Sequence, residues 1–291
     1  MAKPLLNKLV IFGVGLIGGS FALAVKRAGL ANRIVGVGRS ETNLIKALRL
    51  GVIDEMANDV AQAVRSADVI LLALPVGQMR RVMRAIAPHL EPHTLVTDAG
   101  STKQDVAACA RECLASHLER FVPAHPVAGA ELSGVAAAGA DLFVNKNVVM
   151  TPLAKTDKKA LKRIKDIWLA CGARVSEMTP RQHDEIFAAV SHLPHLLAYA
   201  LVEVIAAKPN TARLFNYAAS GFRDFTRIAG SSPEMWRDIA LANRKILLKE
   251  LSGYQKQLKR LAGLLRKNDG AALEKIFSNA RNARQKWLRS L

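Results

Sequence analysis

The most constraining feature of this chain is a glycine-rich turn that follows directly on a short apolar segment. Residues 9–12 read Leu-Val-Ile-Phe, and the pattern G-x-G-x-x-G comes next, with its glycines at Gly13, Gly15 and Gly18. Between a strand and a helix, such glycines allow a tight turn, a close approach of the backbone to a pyrophosphate, and close helix–sheet packing. An apolar helical pattern does follow, over residues 16–28. The segment therefore predicts a dinucleotide-binding turn.

Two further pairs of residues are expected to contact the cofactor. Leu16 and Ile17 open the helix whose free N–H groups would face the diphosphate. After the second predicted strand, where an acidic residue would accept a hydrogen bond from the ribose 2′-hydroxyl, the chain has Arg39 and Ser40. A guanidinium and a hydroxyl suit a 2′-phosphate, so we expect NADP as cofactor, with NAD as the alternative.

Residues 1–178 alternate short apolar segments with helical patterns, which is typical of a parallel sheet with helical crossovers. From residue 179 to 291 the pattern is helical throughout. We therefore predict an α/β, Rossmann-type dinucleotide-binding domain (1–178) followed by an all-helical substrate and dimerisation domain (179–291). The predicted strands are Leu9–Phe12, Ile34–Val37, Val69–Leu74, Leu95–Asp98, Phe121–Ala124, Val148–Thr151 and Arg174–Glu177.

A predicted long helix, residues 233–267, carries apolar residues at spacings of four and three. This pattern forms a seam that packs lengthwise against another helix. We expect a homodimer through the helical domain. The seam consists of Leu247, Leu251, Tyr254, Leu258, Leu261 and Leu265.

Three predicted strands end at residues that could contact a ligand or take part in a reaction. Ligands of such sheets bind beyond the carboxyl ends of the strands. Leu74 and Pro75 follow one strand and are expected to contact the cofactor. Ser101 follows another, where it can cap the next helix or lie beside the nicotinamide. His125 ends a third, and an imidazole there is a good general base because its pKa lies near working pH.

The helical half contains Ser191-His192-Leu193-Pro194-His195, in which both imidazoles lie on one helix face and the proline is expected to kink the helix. We predict that His192, His195 and Ser191 contact an anionic substrate. A zinc site would need a third ligand, for which His183 and Asp184 are candidates. No acidic motif completes such a site, so no metal is predicted.

Arg227 lies among apolar neighbours in the sequence, and burying it without an anion would be costly. It could grip a substrate carboxylate with two hydrogen bonds, or pair internally with Asp224. We favour the substrate, and predict a further substrate contact at Glu131.

Composition narrows the setting. The 291 residues carry a formal charge of +18, with thirteen Lys or Arg between residues 244 and 291. This stretch shows no repeated interleaving of basic and aromatic residues and no recognisable nucleic-acid module, so a nucleic-acid partner is not expected and a solvated helix face fits better. Three cysteines without C-x-x-C argue against a disulfide framework. No stretch reads as a secretion signal or a membrane span, so we expect a soluble, cytoplasmic protein.

Together these residues resemble the prephenate/arogenate dehydrogenase family of tyrosine biosynthesis, over essentially the whole chain. The resemblance rests on Gly13–Ser20, Asp98–Ser101, His125–Gly129, Ser191–His195 and Gly221–Arg227, in this order. It implies a nucleotide-binding domain, a helical dimerisation domain, and an oxidative decarboxylation that aromatises a cyclohexadienyl ring. Control by an appended sensor domain is not expected.

The resemblance also implies roles. His125 would accept the proton of the substrate's C4 hydroxyl, Ser101 would help to fix that hydroxyl, and Arg227 would bind a substrate carboxylate. His192 and His195 would line the pocket around the substrate side chain.

Two alternatives remain open at this point. A β-hydroxyacid dehydrogenase shares the two-domain plan, but the catalytic lysine expected early in its helical domain is missing, since Lys208 is the only lysine between Thr179 and Asn210. A non-enzymatic, dinucleotide-sensing regulator would explain the basic charge but would leave His125, His195 and Arg227 without a function.

Overall fold

The computed structural model describes residues 5–129 and 134–290. By internal contacts the chain forms two compact units, Met1–Arg244 and Lys245–Leu291. The strands are β1 (Leu6–Phe12), β2 (Ala31–Val37), β3 (Glu55–Met56), β4 (Val69–Leu72), β5 (Leu95–Asp98), β6 (Phe121–Val122), β7 (Ala124–Pro126), β8 (Asn147–Met150) and β9 (Arg174–Glu177).

Helices connect and follow these strands. They are α1 (Leu16–Arg27), α2 (Glu41–Arg49), α3 (Val60–Val64), α4 (Met79–Ile86), α5 (Gln104–Cys113), α6 (Lys158–Ala170), α7 (Pro180–Phe187), α8 (Leu193–Ala206), α9 (Thr211–Asn216), α10 (Ser220–Thr226), α11 (Pro233–Ala242), α12 (Arg244–Arg266) and α13 (Gly270–Leu288). A π-helical turn, Ala188–His192, joins α7 to α8.

The first sheet has six parallel strands in the order β3-β2-β1-β4-β5-β6. Its central strands are apolar on both faces because helices cover both sides. Alternate residues of β1 therefore enter two different cores: Leu9 and Ile11 belong to one, and Val10 and Phe12 to the other. The strand order reverses direction between β1 and β4, which creates a crevice at the carboxyl ends of these strands. The predicted Rossmann-type fold is confirmed.

The later strands correct the prediction of one parallel sheet. β7, β8 and β9 form a separate three-stranded sheet in which β7 is antiparallel to β8 and β8 is parallel to β9. The chain leaves the first sheet at Pro123, between β6 and β7. A proline has no N–H for a ladder and fixes its φ, so it ends pairing on one sheet and redirects the strand that carries His125.

From α7 onward the described residues contain helices and no strand, as predicted. Thr179 begins α7 with a capping box, in which its hydroxyl accepts from the Gln182 N–H. The single long helix predicted over residues 233–267 is interrupted at Asn243, between α11 and α12. The buried Asn243 side chain donates to the Asp184 carbonyl oxygen at 2.8 Å, which is a reason for the break.

Candidate active site

The glycine turn is tight at two positions and open at the third. Gly13 has φ +95°, and a Cβ there would lie 2.2 Å from the Ala73 carbonyl oxygen. A Cβ at Gly18 would lie 2.1 Å from the Gly13 carbonyl oxygen, whereas one at Gly15 would meet nothing within 4 Å. The turn therefore packs closely against β4 on one side and leaves open space on the other, in front of the first turn of α1.

That open space suits a diphosphate. Leu16, Ile17 and Gly18 are the first residues of α1, whose N–H groups have no partner within the helix. Among the described residues no side chain caps this end. Leu74 follows β4 and lies beside the turn, since a Cβ on Gly13 would be 3.0 Å from its Cδ2; Pro75 comes next. The residues present therefore fit a dinucleotide at this crevice.

The side chains of the two residues that were predicted to hold a 2′-phosphate have different partners in the structure. Ser40 is the N-cap of α2, where its Oγ accepts from the Asn43 N–H at 3.2 Å. Arg39 is exposed, and its Nη1 lies 3.7 Å from Oε1 of Glu234 on α11. The Ser40 hydroxyl keeps its own proton as a donor, and the Arg39 guanidinium lies 3.7 Å from Glu234 and 3.2 Å from the side-chain amide of Gln78.

A buried ion pair fixes the loop that carries Ser101. Lys103 and Asp98 are both fully buried and form a salt bridge. The Lys103 ammonium also donates to the Ala124 carbonyl oxygen at 2.8 Å, and the Asp98 carboxylate accepts from the Gly100 N–H at 2.7 Å. Removing one partner of such a pair would leave a buried charge uncompensated. The pair thus ties the end of β5, the Ser101 loop and the start of β7 together.

His125 lies on β7 with only 9% of its surface exposed. Its Nδ1 is 2.8 Å from Nε2 of His183, and its ring packs against Phe187. Burial lowers the pKa of His125 well below its usual value, and the nearby His183, Lys103 and His192 lower it further. The imidazole is therefore neutral near pH 7, which is the form that can accept a proton.

His183 and Asp184, at the middle of α7, lie behind His125. Nδ1 of His183 is 2.8 Å from Oδ1 of Asp184. The Asp184 carboxylate also accepts the N–H groups of Lys103 at 2.8 Å and Gln104 at 2.9 Å. Burial acts to raise the pKa of Asp184, but these hydrogen bonds, led by that from His183, hold it below its usual value. Asp184 is therefore an ionised acceptor at the start of α5.

This arrangement corrects the proposed capping role of Ser101. α5 begins at Gln104, and within the described ranges no side chain of its own loop caps it. The Asp184 carboxylate takes that role from α7, which leaves the Ser101 hydroxyl free of a capping duty.

His192 sits at the end of the π-helical turn, and such wide turns are frequent at functional sites. Its Nδ1 is 3.2 Å from Nδ2 of Asn243, and its ring lies beside the Ser101 backbone. Nε2 is buried without a hydrogen-bond partner in the described part of the chain. Burial lowers the pKa of His192 to about 4. The expected proline kink is thus a widened turn that precedes Pro194.

His195 lies one helical turn further along. Its Nδ1 donates to the Ser191 carbonyl oxygen at 2.8 Å, and its ring stacks on Trp236 with the centroids 3.6 Å apart. Burial lowers the pKa of His195, and the charge of Arg227 lowers it further. Ser191 therefore contributes its backbone to the placement of His195.

Arg227 is exposed, although the sequence argument assumed that it was buried. It begins the short turn after α10, and its charge is close enough to influence His195. Glu131, the remaining predicted contact, lies outside the described residues.

The structure thus places the Ser101 backbone and His125 near His192, and Trp236 links His192 to His195. Sequence reasoning missed several members of the cluster or assigned them otherwise, because their partners are far away in the chain. His183 and Asp184 entered only as possible metal ligands. The signal available for them was an adjacent acid and imidazole on an otherwise amphipathic helix. The other missed members are Lys103, Trp236 and Asn243.

The sheet order and the open glycine turn are those of a dinucleotide-binding domain, and the buried, neutral histidines are groups that can accept a proton. Residues 21–177 match the nucleotide-binding domain of prephenate dehydrogenase, and residues 179–279 match its dimerization domain. The chain belongs to the prephenate dehydrogenase family, an oxidoreductase family that uses a nicotinamide dinucleotide, which confirms the resemblance and excludes the two alternative interpretations.

Individual relatives match over nearly the whole chain. Prephenate dehydrogenase of Bacillus subtilis (strain 168) is 38% identical over 280 residues, which are 96% of this chain and 75% of that protein. Cyclohexadienyl dehydrogenase of Zymomonas mobilis is 36% identical, covering 95% and 94%. The crystal structure of prephenate dehydrogenase from Aquifex aeolicus, in complex with hydroxyphenyl propionate and NAD+, has a TM-score of 0.90 at 36% identity and covers 98% and 99%.

Proposed function

We propose that this chain catalyses the oxidative decarboxylation of prephenate, arogenate or both to 4-hydroxyphenylpyruvate or tyrosine, in tyrosine biosynthesis. The observation that carries the proposal is the neutral His125, placed on β7 next to the Ser101 loop and held by His183. The family membership supports the reaction, and the complex of the Aquifex aeolicus relative with hydroxyphenyl propionate and NAD+ supports an aromatic product and a nicotinamide cofactor.

The residues of the chain would divide the work as follows. When bound, the nicotinamide supplies the acceptor for the hydride that leaves C4 of the ring. His125 takes the proton of the C4 hydroxyl as the hydride leaves and returns it to the ring oxygen once CO₂ has been lost, and Ser101 orients that hydroxyl. Loss of the ring carboxylate as CO₂ supplies the electron pair that makes the ring aromatic, so the protein mainly orients the substrate and removes a proton.

Substrate anchoring falls to the helical side of the site. Arg227 offers a guanidinium for a substrate carboxylate, with His195, held by the Ser191 carbonyl, beside it. His192 offers a buried, unpartnered Nε2 within the described chain. Glu131 is proposed as a further substrate contact on the basis of sequence alone.

For the cofactor we propose a preference for NADP over NAD. Arg39 is exposed just after β2, and a 2′-phosphate could compete with its 3.7 Å pairing to Glu234 and its neutral neighbour Gln78. Ser40 can add a hydrogen bond through its free proton. Leu74 and Pro75 would flank the cofactor beyond β4.

We also propose the division into a dinucleotide-binding domain (1–178) and a helical substrate and dimerisation domain (179–291), with a homodimer formed through the latter. The match to a dimerization domain over residues 179–279 supports it. So does the predicted seam, since Leu258 and Leu265 on α12 are 49% and 66% exposed in the single chain. Light scattering at micromolar concentration should give twice the chain mass, and an active monomer would contradict the dimer.

The continuous helical segment Pro180–Ala206 is, by length and composition, apolar enough to cross a membrane, and only 22% of its most apolar window is buried within the single chain. We propose that its exposed apolar residues, such as Val190 and Val204, face a second copy of the chain instead. The same segment carries the buried His183 and Asp184, which would be costly to place in lipid. A cytoplasmic location without a nucleic-acid partner fits this proposal.

An absorbance assay tests the function. The purified protein, mixed with prephenate or arogenate and with NAD or NADP, should produce reduced cofactor, CO₂ and one aromatic product in equal amounts. Parallel kinetics with the two substrates give the preference. Absence of turnover with both substrates and both cofactors would contradict the proposal.

A further inference from the structure

Three side chains form a line that runs from the centre of the proposed site to the start of α5. His125 Nδ1 lies 2.8 Å from His183 Nε2, and His183 Nδ1 lies 2.8 Å from Asp184 Oδ1. His183 and Asp184 are fully buried, at 0% and 1% exposure. Of these three side chains, the proposed reaction uses only that of His125, and it assigns no role to His183 or Asp184.

The chemistry of the groups fixes the direction of each hydrogen bond. Asp184 is an ionised carboxylate that accepts two backbone N–H groups, so it can only accept from His183. The proton of neutral His183 is therefore on Nδ1, and its Nε2 carries a lone pair. His125 must then donate from Nδ1, which leaves the lone pair of the neutral ring on Nε2.

We propose that His183 and Asp184 are a positioning pair that fixes His125 in the tautomer with its proton on Nδ1 and its accepting lone pair on Nε2. The inference rests on the proposed role of His125 as the proton acceptor. Nε2 of His125 makes no hydrogen bond with the residues described here, whereas Nδ1 is held from behind. In the opposite tautomer Nε2 would carry the proton, and this nitrogen could not accept the proton of the substrate hydroxyl.

The position of Asp184 extends this function to the Ser101 loop. Its carboxylate binds the N–H groups of Lys103 and Gln104, two and three residues after Ser101. The Asp184 carboxylate therefore fixes both the tautomer of His125 and the position of the loop that carries the Ser101 hydroxyl. The negative charge at the start of α5 is also favourable for the helix dipole.

Two substitutions at His183 separate the hydrogen bond from the packing. His183→Phe keeps a ring that can stack on Phe187, at present 4.4 Å away between centroids, but offers no acceptor to His125. His183→Gln loses the ring but places an amide oxygen near the position of Nε2, where it can accept from His125 Nδ1. The phenylalanine variant should lower kcat about 10- to 100-fold with little change in KM, and the glutamine variant should recover most of that loss.

The tautomer itself is measured without substrate. Long-range ¹H–¹⁵N correlation spectra of protein with ¹⁵N-labelled histidine show which ring nitrogen carries the proton, and a His125→Asn sample assigns the His125 signals. The parent protein and His183→Gln should show His125 protonated at Nδ1, and His183→Phe should show loss of that single form. Thermal unfolding and cofactor affinity serve as controls for the fold.

The groups that face His183 also titrate or carry charge, so the spectra are recorded at pH 7 to 8, where the buried imidazoles are neutral. These groups are Asp184 on its own helix, His125 on β7, Asp98 on β5, His192 on the π-helical turn, and Lys103 before α5. A parent His125 protonated at Nε2 would overturn the inference. So would a folded His183→Phe variant with unchanged kcat. Failure of the protein to oxidise prephenate or arogenate would instead contradict the proposed function and leave the tautomer decided by the spectra.

Discussion

The cofactor side of the site is formed mainly by backbone groups, whereas the substrate side is formed by side chains. The glycine turn works through backbone: Gly13 and Gly18 have no room for a side chain, and the N–H groups of α1 face open space. The histidine cluster works through buried side chains that come from β7, α7 and the π-helical turn. A backbone site needs a local sequence pattern, whereas a side-chain site needs distant elements to pack correctly. The two sides should therefore respond differently to substitution and to pH.

The largest expected effect is at the proposed base. His125→Asn keeps a similar shape and a hydrogen-bonding group but cannot take a proton, so kcat should fall about 10²–10⁴-fold while cofactor affinity stays nearly constant. In the parent, kcat/KM should fall with acidification only below pH 6.5, because burial lowers the pKa of His125 and the imidazolium cannot accept. Near-parent turnover of the variant, or survival of the same acid limb in it, would point to His192 or His195 as the base.

A smaller effect is expected at the rim of the substrate side. Arg227→Ala should raise the KM for substrate about 10- to 100-fold, since a hydrogen bond to a charged group contributes about 1.5–3 kcal/mol. Arg223→Ala, an exposed arginine on α10, is the matched control and should change KM little. If the Arg227 variant loses stability or cofactor affinity instead, the residue has a structural role.

Acid stability tests the side-chain character of the cluster directly. His192 has a folded pKa of about 4, below its ordinary 6.5, so the unfolded chain binds its proton first. Stability is therefore full above pH 6.5 and falls as the pH drops toward 4, by about 2 kcal/mol at about pH 5 from this residue alone. Urea unfolding at several pH values measures the slope. A folded His192→Leu variant should flatten it, whereas substitution of the exposed His93 by Gln should not; equal slopes in all three would contradict the argument.

The smallest effect is expected on the cofactor side, at an exposed residue. Arg39→Ala should weaken NADP up to about fivefold more than NAD, since a solvent-exposed charge pair contributes at most about 1 kcal/mol. Glu234→Gln should strengthen NADP binding by removing the competing carboxylate. Arg33→Ala, an exposed arginine on β2, serves as control. Equal losses of both cofactors in the Arg39 variant would refute the NADP preference.

The same difference between backbone and side-chain sites explains which features could be predicted from the sequence. The pattern at Gly13, Gly15 and Gly18 predicted the turn, its helix and the Rossmann-type sheet, because each glycine answers a local backbone requirement. His125 could be singled out because it ends an apolar segment before a proline. Its partner His183 lies 58 residues away in the chain, and no local pattern pairs the two.

Other outcomes followed from tertiary packing. Pro123 turns the chain from one sheet into another, so that β7 runs antiparallel to β8, and the sequence alone does not state the partner of a strand. The break between α11 and α12 at Asn243 depends on its contact with Asp184, a helix distant in sequence.

The sequence by itself determined the family, the succession of an α/β half and a helical half, and the residue types available for proton transfer, because these follow from local periodicity, glycine geometry and ordered motifs. Only the tertiary structure decided which imidazole faces which. Burial, the Lys103–Asp98 pair and the carboxylate of Asp184 act over distances that no short pattern records. Burial lowers the pKa of His125, with the nearby His183, Lys103 and His192 adding to it, and the His183–Asp184 pair directs the Nδ1 of His125 toward His183. These contacts arise only once the elements have packed.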